Sequence, residues 1–142
     1  MNLNPSWPIV SVGVYYDNPT AAIEWLCKAF GFTVRLKVEG ENGDIVHSEL
    51  LLGEGLIMVG SSKKEPCRKS PRSVNGVNTQ SVMLMIENAD AHCAHARAAG
   101  AKIVTEPKTT DYGAEYWADR CYEAEDPEGH RWWLCQRIRN RS

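Results

Sequence analysis

Two short patterns in this chain of 142 residues carry side chains able to do chemistry. In "IVHSELLL", His47 and Glu49 stand two residues apart. On a strand that spacing puts both on one face. A carboxylate beside an imidazole can orient a ligand or hold a base in position. The same pair could equally face solvent or pair across a sheet, and the sequence leaves both readings open. In "DRCYEAEDPEGHRWWLCQ", Cys121 and Glu123 share one strand face, Arg120 and Tyr122 the other, and a bulge would exchange the pairs. A nucleophilic Cys121 needs a neighbouring base. None is visible, so a quiet thiol is expected. His92 and His95 lie three apart on a helix around Cys93. That spacing can catch a stray surface metal, but a solvated helix face is the expectation. The five cysteines are scattered, with no C-x-x-C pair. This excludes a zinc knuckle or a thioredoxin-like motif and suggests reduced, mostly buried thiols.

The adjacent Trp132 and Trp133 must point to opposite faces of a strand, so they cannot both fill one core. The elements around them decide which is which. "PIVSVGVYY" reads as a strand, and Asp17-Asn18-Pro19 opens a helix by a capping residue followed by proline. Ala22, Ile23, Leu26, Cys27 and Phe30 form its apolar stripe, and Gly31 closes it. "FTVRLKVEG", "IVHSELLL" and "LIMVG" follow as strands, the first two joined through the turn-favouring Asn42-Gly43. After a polar stretch the pattern restarts with the strand "QSVMLMIE", a helix from Asn88 to Ala99 closed by Gly100, and strands "AKIVTEP", Trp117 to Glu125 and "HRWWLCQ". Asp126-Pro127-Glu128-Gly129 has the residues of a type I turn.

The chain is therefore expected to hold one βαβββ module over residues 8–60, a linker or lid loop over 61–78, and a second βαβββ module over 79–138. "VSVGVYYD" can be laid on "SVMLMIEN", and "GLIMVG" on "GHRWWLC". Such repetition indicates a duplicated unit. The intervening loop is long for a connection. Its Lys63, Lys64, Arg68, Lys69 and Arg72 could close over an anion or touch a partner subunit, although such runs are usually just solvated.

A formal net charge of -2 gives no basic footprint for nucleic acid. The sequence has no 18-residue apolar run and no signal-peptide pattern, so no membrane association and a cytoplasmic location are expected. Trp25 beside the first helix's stripe suggests packing or a subunit contact.

The repeated βαβββ order, the helix closing in "FGF", the "GA" after the second helix and above all "EDPEGHRWW" resemble the vicinal oxygen chelate superfamily, the glyoxalase, bleomycin-resistance and dioxygenase group. The resemblance runs from about Pro8 to Gln136. It is nearest to a subgroup with the pattern YGxRxYxxxDPEGHxW, in which Trp117 and Ala118 here replace Tyr-Gly. It implies an α+β fold of two modules whose curved mixed sheets form a cleft. In the family's metal enzymes four positions on the first and last strands of the two modules carry His, Gln or Glu. Counting seven back from the capping residue, taken as Asp17 and Asn88, and four on from the turn glycine, the resemblance places them at Val10, Met58, Ser81 and Trp133. Valine and tryptophan cannot ligate, serine does so poorly and methionine prefers soft ions.

The resemblance then implies a metal-free, cofactor-free binder of a small planar or aromatic molecule, such as the family's drug-sequestering proteins, with no catalytic residue. By this alignment Trp132 packs the core and Trp133 faces the ligand. Ligand-binding residues are expected at Trp133, His47, Glu49, Met58, Ser81, Met83, Cys121 and Glu123, with Met85 beside them. A homodimer and a small-molecule ligand are the expected partners. Two alternatives stand. One is a metal-dependent lyase, isomerase or dioxygenase with a shifted register and His47, Glu49 and Glu123 as ligands. The other is an interaction module with a filled cleft.

Overall fold

The computed structural model describes residues 7–142. They divide into two units, the first ending at Ser70 and the second spanning Pro71–Ser142. Unit 1 holds β1 (Val12–Tyr16), α1 (Pro19–Phe30), β2 (Thr33–Glu39), β3 (Ile45–Leu52) and β4 (Gly55–Ser61). Unit 2 holds β5 (Val82–Met85), α2 (Ala89–Ala98), β6 (Lys102–Asp111), β7 (Ala118–Glu125) and β8 (Arg131–Arg139). Each is a four-stranded mixed sheet, ordered β1-β4-β3-β2 and β5-β8-β7-β6. The first and last strands of each unit pair in parallel and the other neighbours antiparallel. The α+β architecture of two βαβββ units agrees with the sequence reading.

The helices start where capping chemistry allows. Asn18 accepts a bond from the Ala21 amide with Pro19 next, and Asn88 accepts from the Ala91 amide. These satisfy amides that have no partner within the helix. Gly31 ends α1 in the left-handed conformation (φ 86°). Two boundaries differ from expectation. The first strand begins at Val12, not Pro8, and leaves Ile9 and Val10 outside it and exposed. Strand β6 continues four residues past Pro107, which lacks an amide hydrogen; β6 is an edge strand with a register shift between Thr105 and Lys108, where proline is tolerated.

The two cores are filled from opposite sides. In unit 1 the helix contributes bulk: Ile23, Leu26 and Phe30 are buried against Val14, Tyr16, Leu50 and Val59 of the sheet. Trp25 meets Phe30 edge to face at 5.0 Å. In unit 2 the helix is alanine-rich and buries only Ala89, Cys93 and Ala96. The volume comes from the sheet instead, from Trp132, Tyr122 and Leu134, all 0% exposed.

The Asp126–Gly129 turn forms as expected: the Gly129 amide donates to the Asp126 carbonyl at 3.0 Å. The Asp126 carboxylate does more. One oxygen accepts from the Glu128 and His130 amides, and the other from Trp132 Nε1 at 3.0 Å. A buried indole N–H needs such a partner. The turn thus fixes which of the two tryptophans enters the core.

Each part of the 61–78 segment is held to its own unit. Ser62 bonds Asp17 and Lys64 Nζ donates to the carbonyls of Ile45 and Val46. From Pro71 on, Arg72 reaches Glu128, and Asn78 bonds Gly129 and Arg131. No helix among the described residues is long and apolar enough to cross a membrane.

Candidate functional site

Each sheet has one face against its helix and one turned away, here called the outer face. The pairing registers place the sequence-predicted residues on these outer faces. In unit 1 the buried pair Leu50 and Ile57 fixes the pattern. Glu49 and Met58 flank that pair on the opposite, outer side, with Gly13 opposite Met58 and His47 two residues from Glu49. In unit 2 the register Met83↔Trp133↔Glu123 crosses β5, β8 and β7, and Met85↔Cys135↔Cys121 crosses the same strands one row on. Helix-facing rows lie between them, with Leu84, Leu134 and Tyr122 in one and Trp132 and Ala124 in another.

The outer face of unit 1 is polar at its centre. The Glu49 carboxylate is almost buried, and its two oxygens are bonded by Arg35 Nε at 3.1 Å and His47 Nε2 at 2.7 Å. The Arg35 guanidinium also lies over the Trp7 ring at 5.1 Å. Next to this cluster, Gly13 and Gly60 leave room for the Tyr15 ring. A methyl group on either glycine would come within 2.8 or 3.3 Å of that side chain. Arg68 caps the ring from 4.5 Å.

The outer face of unit 2 is apolar and rich in sulfur. Trp133 is 39% exposed, Met83 57% and Met85 49%. Ser81 is exposed just before β5, on the same side by alternation. Glu123 is bound to Arg131 at 3.2 Å, and Glu125 to Arg131 at 2.9 Å. Burial acts to raise the Glu125 carboxyl, but the bonds from Arg131 and Lys102 outweigh it and hold it below its ordinary value. A shallow concavity of about 430 Å³ lies away from these rows, at the β6–β7 hairpin, lined by Asp111, Gly113, Ala114 and Arg139.

Three expectations need correction. Cys121 is not a reduced thiol: it is disulfide-bonded to Cys135, which stands directly opposite it on β8, with Cα atoms 4.2 Å apart. The 14-residue separation hides this, because only the hairpin register brings the two together. Among the described cysteines, Cys27, Cys67 and Cys93 are free thiols. His92 does not lie on the expected, purely solvated helix face but is half-buried. Its Nδ1 is 2.5 Å from the hydroxyl of the buried Tyr122, whose ionisation burial pushes upward. The third concerns Val10. The residue that caps α1 is Asn18, not Asp17, so the count that gave Val10 gives Ser11. Val10 is 75% exposed and lies outside the sheet, whereas Ser11 Oγ is buried with no hydrogen-bond partner among the described residues. The signal was available in the sequence, since Asn18 and Asn88 then stand 70 apart, as do Ser11 and Ser81.

Counted from Asn18, the resemblance places the family's metal positions at Ser11, Met58, Ser81 and Trp133. Two hydroxyls, a thioether and an indole do not suit the hard or borderline divalent ions such sites hold. The alternative ligands fare no better, since Glu49 and Glu123 each already bind an arginine, and Glu49 also binds His47. No three His, Cys, Asp or Glu side chains among the described residues converge as metal ligands. The residues present do not fit a family-type metal.

The chain matches the family model described as Glyoxalase/Bleomycin resistance protein/Dioxygenase superfamily over residues 9–134. It is 28% identical over 135 residues to an uncharacterised protein of Mycobacterium tuberculosis, covering 93% of this chain and 76% of the relative. Among solved structures it is similar to TioX from Micromonospora sp. ML1, with 28% identity, TM-score 0.69, and coverage of 91% of this chain and 98% of that one. It shares the fold of a glyoxalase/bleomycin resistance protein from Streptomyces sp. CB03234, with 17% identity, TM-score 0.64, and coverage of 87% and 96%.

Proposed function

We propose a binding function, on the premise that the chain belongs to the Glyoxalase/Bleomycin resistance protein/Dioxygenase superfamily. The protein is a metal-free binder of a small planar or aromatic molecule, and its platform is the outer face of unit 2. One observation carries this reading: Trp133 presents an exposed indole between Met83 and Glu123, at the position where the resemblance puts a metal ligand. A flat aromatic surface gains from offset stacking on a planar ligand. The flexible thioethers of Met83 and Met85 adapt to the ligand's outline. Such a site needs apolar contact and a few polar anchors, not a reactive group.

The test is a titration of the chelator-stripped protein with a panel of planar heteroaromatic compounds, followed by tryptophan emission and calorimetry. At least one compound should quench emission and bind at one per chain. Trp133→Ala should weaken it about tenfold or more, the loss of one stacked ring. Equal binding by the variant, or no binding across the panel, overturns the reading. So does a stoichiometric nickel, zinc or manganese site in parallel equilibrium dialysis, which would restore the metal-dependent alternative.

A further inference from the structure

The outer face of unit 2 also gathers sulfur, and this does not depend on a planar ligand. Met85, Cys135 and Cys121 stand in one row across β5, β8 and β7. The two cysteine Cα atoms are 4.2 Å apart. Neighbouring strands run about 4.8 Å apart, so Met85 begins one strand spacing from Cys135 on the same face. Its three rotatable bonds let the thioether swing over that row. Met83 supplies a second thioether two residues earlier.

We infer that, once the Cys121–Cys135 disulfide is reduced, unit 2 binds one soft monovalent cation of the copper(I) type between Cys121 Sγ, Cys135 Sγ and Met85 Sδ. Thiolates and thioethers are soft donors and suit such an ion better than magnesium or calcium, and three sulfurs from one row can satisfy its low coordination number. The nearby carboxylates do not compete, because Arg131 holds both Glu123 and Glu125. Lys108, the β6 partner of Cys121, brings a cationic side chain to the edge of the row and favours the thiolate.

The steps balance. A dithiol reductant passes two electrons to the Cys121–Cys135 bond and leaves as its own disulfide, giving the protein two thiols. Each thiol then releases its proton to solvent as its sulfur donates a lone pair to the ion. The thioether has no proton to lose, and the ion keeps its single positive charge. Oxidation back to the disulfide removes two of the three donors, so ion affinity follows the redox state.

The full-length chain serves for the test, with Cys67→Ser throughout to remove the exposed thiol. Cys27 and Cys93 stay, since burial raises both thiols and disfavours their thiolates. Protein reduced with a phosphine and desalted without oxygen is titrated with copper(I) against a chromogenic chelator. One ion per chain should be retained, with a thiolate-to-copper absorption band in the near ultraviolet. The untreated disulfide form and Cys121→Ser/Cys135→Ser should each bind less than about a tenth as tightly, and Met85→Leu should weaken binding about tenfold. Undiminished binding by the disulfide form, by the double serine variant or by Met85→Leu overturns the inference. If the double variant does not fold, as judged by circular dichroism, the reduced and oxidised forms still decide. Trp133→Ala should keep the copper stoichiometry while losing the planar ligand, so failure of one reading is distinguishable from failure of the other.

Discussion

The outer faces of the two sheets are built on one register and filled with opposite chemistry. Where unit 1 has Gly13, Met58 and Glu49, unit 2 has Met83, Trp133 and Glu123. Where unit 1 has Tyr15 and Gly60, unit 2 has Met85 and Cys135. In both units an arginine neutralises the glutamate, Arg35 in one and Arg131 in the other. The ladders differ as well. Strands β7 and β8 pair from Ala118 to Glu125, but β3 and β4 pair only through Leu50, Leu51 and Leu52. At the next helix-facing position the Ser48 hydroxyl stands in for the backbone, donating to the Val59 carbonyl at 2.6 Å and accepting from its amide at 3.0 Å. A duplicated fold thus keeps its hydrogen-bonding frame while the rows turned away from the helices are free to diverge, because they do not have to fit the packing between helix and sheet.

The comparison breaks most readily in the cores. If unit 2 is filled from its sheet, Trp132→Ala should cost about 4 kcal/mol, the range for deleting a buried aromatic, read from the urea midpoint. A cost below about 1 kcal/mol would mean the alanine-rich helix can close the gap. The ladder difference is sharpened by Ser48→Ala. Two backbone groups of Val59 would lose their partner, and the expected cost is about 2 kcal/mol in the same measurement. A neutral result would show that β3 and β4 can zip shut once the hydroxyl is gone.

The smallest effect is electrostatic and belongs to unit 2. The bond from Arg120 holds Asp90 below its ordinary value, and the bond from Arg139 holds Asp111 well below the usual carboxylate range. Their folded values are depressed, so their contribution is present above the unfolded carboxylate range near pH ~4 and is lost as pH falls through the folded values. Both carboxylates are exposed, which makes the contribution modest and sensitive to salt. Denaturant midpoints at about pH 5 and about pH 2.5 should fall more steeply in low salt than in high salt. An unchanged slope would remove these pairs from the stability of unit 2.

Much of this was legible in the sequence, for definite reasons. Period-two alternation sent Trp132 and Trp133 to opposite faces, and caps and turn residues marked both modules. His47 and Glu49 could be paired because their spacing is local. By residue type Asp17 can cap a helix as well as Asn18, and only the structure chooses Asn18; that one-residue step moves a predicted position from Val10 to Ser11. The partners of His92 and of Cys121 were not legible, because 30 and 14 residues separate them from Tyr122 and Cys135. The sequence by itself determined the βαβββ repeat, the turn at Asp126 and that only one of the two tryptophans could be buried in a given core, all set by nearest-neighbour geometry. Only the tertiary structure decided what meets across strands: the disulfide, the sulfur row and the arginine that holds each glutamate. Those depend on register, and register is a property of two strands at once.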